Sequence, residues 1–207
     1  MPYYRERILP RLINVTCGAK AGRPWRAEAC AGLTGTVVEI GFGSGHNVPY
    51  YPSGVDEVVA VEPSDLAMGL ASARVAASRV SVRRVGLDGQ SVPLDDHCVD
   101  AALITFTLCT VPDPARVLSE VARIVRPGGA VHFLEHGLSP DARVAAWQRR
   151  LEPLQRRVAD GCHLTRDARQ LMSDAGLALA SSRSGYMPGP KPWAYLTVGV
   201  ARTPAAP

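Results

Sequence analysis

The sequence predicts an α/β protein with a mainly parallel sheet, helices on both of its faces and an antiparallel final strand. Short β-branched runs alternate with helical segments from Thr36 onward, a pattern typical of parallel sheets. The first run ends in a glycine-rich turn, Gly41 to Gly45. The second run ends in the acid Glu62, at about the 20-residue spacing of nucleotide-binding folds. We therefore expect a Rossmann-like core.

Composition indicates one globular domain, 1–207. Of its 207 residues 46% are hydrophobic, and the net charge of +4 is too small for a nucleic-acid-binding surface. No apolar stretch approaches the ~20 residues of a membrane span, and the first residues lack the apolar core of a secretory signal. The five cysteines include no C-x-x-C pair, so we expect reduced thiols and a cytoplasmic protein. Its oligomeric state stays open.

Residues 1–33 precede the alternating pattern and are predicted to form a helical extension. Pro10 fits only in a first turn, so one helix is expected to begin near Leu9. A second is expected over Trp25–Ala31. Two interpretations remain open: the extension packs against the sheet edge, or it is a lid that closes over a ligand.

The core, 34–202, is predicted to contain seven strands. They are Val37–Ile40, Glu57–Val61, Ser81–Val85, Val99–Thr105, Ala130–Leu134, Leu177–Ser182 and Ala194–Ala201. A turn rich in Gly and Pro at 185–193 joins the last two strands, which predicts an antiparallel final strand. Residues 203–207 are expected to be a flexible tail.

Five helical segments are predicted to connect these strands. They are Asn47–Tyr51, Leu66–Ser78, Pro114–Val125, Asp141–Val158 and Thr165–Ala175. Asp113 and Pro114 supply a cap and a first-turn proline, and Arg126–Gly129 is expected to break that helix. In Asp141–Val158, one face is apolar and much of the rest is lined by arginines. The arginines are either a solvated surface or a rim that attracts an anionic membrane or substrate.

The glycine-rich turn is the centre of the predicted cofactor site. Its absent side chains let a ligand approach the main chain of Gly41, Phe42, Gly43, Ser44 and Gly45. Ser44 is expected to cap the following helix. His46 stands where the dinucleotide fingerprint requires its third glycine, which disfavours a dinucleotide.

Acids and small residues beyond other strands complete this site. Glu39 is placed for a ligand's ammonium group, and Glu62 with Pro63 for ribose hydroxyls. Asp88 is suited to accept from an adenine amino group, and the Gly89 amide to donate to a ring nitrogen.

The E-x-G-x-G-x-G loop with Glu62 resembles the cofactor site of class I S-adenosylmethionine-dependent methyltransferases. Three tracts, Thr107–Val111, Phe133–His136 and Asp160–Arg166, are similar to the methyltransferase-like 7 group of thiol S-methyltransferases and their bacterial relatives. This resemblance implies the class I fold, S-adenosyl-L-methionine as cofactor and S-adenosyl-L-homocysteine as product.

The implied reaction is methyl transfer to a small apolar acceptor, with a thiol favoured. Two alternatives remain open. One is O-, C- or N-methylation of a quinone precursor, phenol or lipid headgroup, and the other is a nucleotide-binding protein without turnover.

Candidate catalytic residues follow the later strands. His136 is the preferred general base, oriented by Asp160, with Cys109 as a further candidate. Thr105 and Thr107 are assigned to the cofactor side. A buried Cys109 is also consistent with a core position, and His136 with a structural hydrogen bond. His136, Cys162 and His163 match no zinc spacing, so no metal site is predicted.

Overall fold

The computed structural model describes residues 3–86 and 88–205 and contains the predicted sheet. Seven strands lie in the order β3-β2-β1-β4-β5-β7-β6. Strands β1 to β5 are parallel to one another, whereas β7 runs antiparallel to both β5 and β6. The expected fold class is therefore confirmed. The strands are Gly35–Ile40 (β1), Val55–Val61 (β2), Ser81–Gly86 (β3), Val99–Thr105 (β4), Val125–His136 (β5), Ala178–Tyr186 (β6) and Tyr195–Arg202 (β7).

Helices cover both faces of this sheet. They are Leu9–Cys17 (α1), Arg23–Cys30 (α2), Asp65–Ala76 (α3), Pro114–Ile124 (α4), Ala142–Val158 (α5), Ala168–Asp174 (α6) and Lys191–Ala194 (α7). Four aspartate or serine side chains cap helices α3, α4, α5 and α6: Ser64, Asp113, Asp141 and Asp167. These caps explain why α6 begins three residues later than predicted, since Asp167 accepts from Arg169 N–H.

Side chains from alternate positions of the central strands enter two apolar layers. Val38 of β1 packs in a cluster with residues of α4 and α6, such as Val121 and Met172. Its neighbour Val37 packs on the opposite face with α2 and α3, including Trp25. Because both faces of β1, β2 and β4 are covered, these strands are apolar throughout most of their length.

Several predicted boundaries are wrong for local reasons. Asn47–Tyr51 forms only a 3₁₀ turn, Val48–Tyr50. Before α1, a π-helical turn at Tyr4–Ile8 extends the helical segment toward the N-terminus. Helix α4 ends at Ile124, just before Arg126–Gly129, as expected, but this segment belongs to β5, where the pairing with β4 is irregular between Val99 and Ala101.

The predicted tail is partly ordered. Thr203 is buried, its hydroxyl donates to Arg126 O (2.7 Å), and its N–H donates to Gly129 O (3.1 Å). Both bonds join Thr203 to the start of β5. They explain why this part of the predicted tail is ordered. Ala206 and Pro207 lie outside the described residues.

Helix α5 departs from the expected burial. Val144 is buried, but Trp147, Leu154 and Val158 are 55%, 60% and 44% exposed. Part of the apolar face therefore lies on the surface, among exposed arginines. Across 3–86 and 88–205, none of the helices combines the length and apolarity needed to cross a bilayer.

Candidate active site

The predicted site residues cluster at the carboxyl edge of the parallel strands. Gly41 N–H donates to Val61 O (2.9 Å), and Glu62 N–H donates to Gly86 O (3.0 Å), so the ends of β1, β2 and β3 are level. The strand order reverses between β1 and β4, and ligands of open α/β sheets bind beyond such a point.

The glycine turn after β1 packs closely on the segment after β4. Gly41 and Gly43 have φ of +74° and +57°, a region that favours glycine. A Cβ on Gly41 would lie 2.1 Å from Thr107 Oγ1, and Thr107 Oγ1 donates to Ile40 O (3.1 Å). Thr107 therefore supports the loop from below, in addition to its predicted role on the cofactor side.

Glu62 ties the ends of β1 and β2 together. Its carboxylate accepts from Gly43 N–H (2.7 Å) and Ser64 N–H (2.8 Å). Burial raises the pKa of Glu62, and those two hydrogen bonds oppose the shift. The acid expected at the ribose position thus lies directly against the glycine loop. Pro63, which follows it, is exposed.

Ser44 does not cap a helix, because the chain after the loop forms only a 3₁₀ turn whose N-cap is Asn47. Its Oγ is buried and has no hydrogen-bond partner among the residues described. The Phe42 side chain is also buried, in the apolar cluster of α2 and α3, so the main chain is what Phe42 offers a ligand.

Glu39 is enclosed by side chains of the same protein. Its carboxylate accepts from Asn47 Nδ2 (2.9 Å) and from the Tyr51 hydroxyl. Burial raises the pKa of Glu39 to about 7, against these hydrogen bonds. Glu39 therefore organises the floor beneath the glycine loop, and its direct contact with a ligand ammonium group stays a prediction.

Arg26 of α2 is a site residue that the sequence patterns did not reveal. Its guanidinium donates to Asn47 Oδ1 (2.7 Å) and Thr105 Oγ1 (3.3 Å) and lies 5.0 Å from the Phe106 ring centroid. Phe106 has φ of +54°, rare for an aromatic residue. Arg26 lies outside the βα pattern, and no sequence motif marks it.

The segment after β3 has the expected place. Asp88 is exposed, and its Oδ1 accepts from Gln90 N–H (2.9 Å). A Cβ on Gly89 would lie 2.7 Å from Ile40 Cγ2, so this position packs tightly against the end of β1. Leu87, between Gly86 and Asp88, lies outside the described residues.

Helix α1 lies above this edge of the sheet. The carbonyl of Asn14 accepts from His46 Nε2 (3.0 Å) in the turn after the glycine loop. In the π-helical turn that precedes α1, Arg5 pairs with Asp160 (2.7 Å). Burial, Arg26 and Arg74 lower the pKa of His46 to about 4. Helix α2, in contrast, packs on the sheet, where His132 Nδ1 hydrogen-bonds with Ala29 O.

Two cysteines and a histidine meet next to the segment after β4 that packs on the glycine loop. His136 Nε2 lies 3.1 Å from Cys162 Sγ, and Cys162 Sγ lies 3.9 Å from Cys109 Sγ. The buried Glu135 carboxylate accepts from the N–H groups of Thr107 and Leu108 at 2.7 and 2.9 Å. The structure thus brings together Cys109 and His136, as predicted, and adds Cys162.

The electrostatics of this cluster favour neutral thiols. The pKa of Cys162 is raised by its contact with Cys109 and by burial. The pKa of Cys109 is also raised. Its hydrogen bond with Cys162 lowers this pKa, but burial and the Glu135 carboxylate together raise it by more. Burial lowers the pKa of His136, but Cys162 and Glu135 raise it by more. The pKa of His136 therefore lies above its ordinary value.

The expected contact between Asp160 and His136 is not formed. Asp160 pairs with Arg5, while Cys162 bonds His136 Nε2. His136 Nδ1 is buried without a hydrogen-bond partner in the described parts of the chain. His163, the other histidine of this tract, hydrogen-bonds with Glu152 Oε1 (3.1 Å).

A groove of about 550 Å³ lies elsewhere, at the opposite end of the strands. Thr36 at the start of β1, Val99 at the start of β4 and the exposed Cys98 line it. No predicted site residue contributes to its wall, so we do not assign the chemistry to this groove.

The residues at the carboxyl edge fit S-adenosylmethionine. This ligand carries an ammonium group, ribose hydroxyls and an adenine amino group. The edge offers polar partners for these groups: the unpartnered hydroxyl of Ser44, the main chain of Gly43, which no side chain covers, and the carboxylates of Glu62 and Asp88.

Comparison with known proteins supports this assignment. A family profile described as "Methyltransferase domain" matches residues 38–133. The chain is 37% identical to mouse thiol S-methyltransferase TMT1B over 172 residues, which cover 80% of this chain and 70% of the relative. It is 37% identical to the rat protein of that name over 136 residues, 64% of this chain and 55% of the relative. The chain thus spans little more than half the length of that rat protein.

Other relatives are named for different methyl acceptors. A phosphatidylethanolamine N-methyltransferase from Cereibacter sphaeroides is 30% identical over 126 residues, 56% of this chain and 58% of the relative. Among solved structures, a Thermotoga maritima protein described as an S-adenosylmethionine-dependent methyltransferase superimposes with a TM-score of 0.70 at 21% identity, over 98% of this chain and 100% of that one. The chain therefore belongs to the class I S-adenosylmethionine-dependent methyltransferases, in the same family as thiol S-methyltransferase TMT1B.

Proposed function

We propose that this protein transfers the methyl group of S-adenosylmethionine to small apolar thiols, with His136 as general base. The observation that carries the proposal is the Nδ1 of His136, which is buried without a hydrogen-bond partner among the described residues. The names of the mouse and rat relatives support a thiol acceptor.

A consistent hydrogen-bond chain would make His136 Nδ1 the basic atom. If Cys162 donates its S–H toward Cys109 Sγ, then Cys162 Sγ accepts from His136 Nε2–H. The neutral imidazole then has its lone pair on Nδ1. In this proposal Cys109 and Cys162 fix the tautomer and do not themselves react.

The surroundings suit a thiolate nucleophile. The Phe106 ring stacks near His136, with 6.5 Å between centroids, and Cys109 and Leu108 are buried. When bound, S-adenosylmethionine supplies an electrophilic methyl group on a sulfonium. Since the opposite charges of thiolate and sulfonium cancel during transfer, a dry, low-dielectric site lowers the barrier.

On the cofactor side, we assign binding to residues at the ends of β1 to β4. They are Glu39, Gly41, Phe42, Gly43, Ser44, Gly45, Glu62, Pro63, Asp88, Gly89, Thr105 and Thr107. Helix α1 and the π-helical turn before it are proposed as a lid, supported by the contact of Asn14 with His46 and the ion pair of Arg5 with Asp160. A lid would exclude water from the methyl transfer.

We further propose a cytoplasmic enzyme that contacts membranes peripherally. All five cysteines are free, as suits a reducing compartment. The exposed Trp147 and Leu154 lie on the arginine-rich α5, a combination that suits an anionic interface. Apolar acceptors concentrate in such an interface.

The proposal is tested with methyl-labelled S-adenosylmethionine and a panel of acceptors. The panel contains alkyl and aryl thiols, phenols, quinols and phosphatidylethanolamine. We expect label transfer to thiols. Transfer to phenols, quinols or the lipid amine, with none to thiols, would overturn the thiol assignment, and the lipid outcome would agree with the Cereibacter relative. Cofactor binding without transfer to any acceptor would favour a protein without turnover.

A further inference from the structure

The cluster of Cys109, His136 and Cys162 has the composition and spacing of a metal site. Its three ligand atoms lie within 4.8 Å of one another. They are two thiols and an imidazole nitrogen, which are preferred ligands of Zn²⁺.

The distances are close to those of tetrahedral coordination. Around a zinc ion with Zn–S bonds of about 2.3 Å and Zn–N bonds of about 2.0 Å, two sulfurs lie about 3.8 Å apart and a sulfur and a nitrogen about 3.5 Å. The structure gives 3.9 Å between Cys109 and Cys162 Sγ and 3.1 Å between Cys162 Sγ and His136 Nε2. Only small side-chain movements would bring the three atoms onto one ion.

The charges of the surroundings would balance. Two thiolates neutralise Zn²⁺, while the nearby Glu135 carboxylate and Arg166 guanidinium offset one another. Glu135 is held by main-chain N–H groups, including that of Cys109, and would orient a ligand segment as outer-shell groups do in metal sites.

We propose that Cys109, His136 and Cys162 bind one Zn²⁺, and that the ion and the base function of His136 exclude each other. Binding at Nε2 leaves the proton of the neutral imidazole on Nδ1, the atom that our proposed function requires to accept a proton. Three protein ligands leave a fourth position open to water or to a small thiol. This inference rests on the proposed role of His136 only for its effect on turnover.

Metal binding is tested first without cofactor or acceptor. The full chain, stripped with a chelator under reducing conditions, is titrated with Zn²⁺ against a chromophoric chelator, and with Co²⁺ to follow thiolate-to-metal charge-transfer absorption. We expect the protein to bind one equivalent of each metal, and we expect Co²⁺ binding to produce the thiolate charge-transfer absorption. Cys162→Ser and His136→Gln should weaken binding by about 100-fold or more. The exposed Cys98→Ser is the matched control and should bind as the wild type does.

No stoichiometric binding, or equal binding by wild type and Cys162→Ser, would overturn the site. Methyl transfer to a thiol is then measured with and without one equivalent of Zn²⁺. We expect loss of turnover and its recovery with chelator. Turnover that is unchanged or raised by the metal would overturn mutual exclusion. Transfer by the metal-free protein upholds the proposed function whatever the metal result, so the two proposals fail separately.

Discussion

The carboxylate of Glu62, after β2, accepts a hydrogen bond of 2.7 Å from the N–H of Gly43, in the turn after β1. This bond joins the glycine turn after β1 to the acid after β2, two positions that contact nucleotide ligands in sheets of this kind. It also places one carboxylate oxygen against the loop backbone while Glu62 remains 7% exposed. Loop geometry and cofactor affinity should therefore depend on the same side chain.

Replacing Glu62 should weaken cofactor binding. In Glu62→Ala, both the bond to Gly43 and the proposed bonds to ribose hydroxyls are lost, which we expect to reduce affinity by about 1–3 kcal/mol. Isothermal titration with S-adenosylmethionine and S-adenosylhomocysteine measures the change. Glu57→Gln, toward the other end of β2 in an exposed ion pair with Arg83, is the control. Unaltered affinity in Glu62→Ala would remove Glu62 from the cofactor site.

Replacing His136 should affect chemistry and spare cofactor binding. His136→Gln removes the proposed base, and a loss of about 10²–10⁴-fold in turnover is expected. The affinity for S-adenosylmethionine should stay near that of the wild type. His97→Gln, where the ring bonds Val125 O near the amino end of β4, serves as control. A fully active His136→Gln enzyme would exclude His136 as base.

The same histidine predicts a pH profile. Because Cys162 and Glu135 together raise its pKa above 6.5 despite burial, the neutral, basic form is lost at a higher pH than for a free imidazole. Turnover should therefore fall as the pH decreases, with a midpoint above 6.5. The midpoint should be absent in His136→Gln. A profile that is flat, or identical in both proteins, would contradict this assignment.

The sequence predicted the fold, and it predicted the candidate site residues at the strand ends, because both depend on local patterns. Glu62 and the glycines are marked by their place at strand ends, and the order of apolar runs predicts the sheet. Arg26 and Cys162 could not be placed, because their roles depend on how the N-terminal helices and the loop after α5 fold back over the sheet. Ser44 was misassigned for a related reason, since its role as a cap required a helix where the chain makes only a single turn.

Glu39 should make stability depend on pH. Its pKa is raised from 4.5 to about 7 by burial, so the folded state binds its proton more tightly than the unfolded state does. Its contribution is fully present below pH 4.5 and is lost as the pH rises through 7, a change of roughly 3 kcal/mol. The uncharged variant Glu39→Gln should not lose stability in this way as the pH rises.

The free energy of unfolding of both proteins is measured with urea between pH 4.5 and 8. Relative to wild type, Glu39→Gln should gain stability as the pH rises to 7, with no further gain above it. Asp95→Asn, at an exposed position, controls for the removal of a carboxyl group. A constant difference between wild type and Glu39→Gln would show that Glu39 has an ordinary pKa in the folded protein.

The exposed apolar surface of α5 should bind anionic vesicles. Trp147 and Leu154 are 55% and 60% exposed, and the Arg150 guanidinium lies 5.7 Å from the Trp147 ring centroid. Apolar side chains inserted among basic ones gain both burial and attraction to lipid phosphates. We expect wild type to sediment with vesicles of phosphatidylcholine and phosphatidylglycerol, and less so at high salt. Trp147→Glu with Leu154→Glu should abolish this, whereas Leu179→Glu on β6, also exposed, should not. Equal sedimentation of all three proteins would show that α5 is merely solvated, and that acceptors reach the enzyme through water.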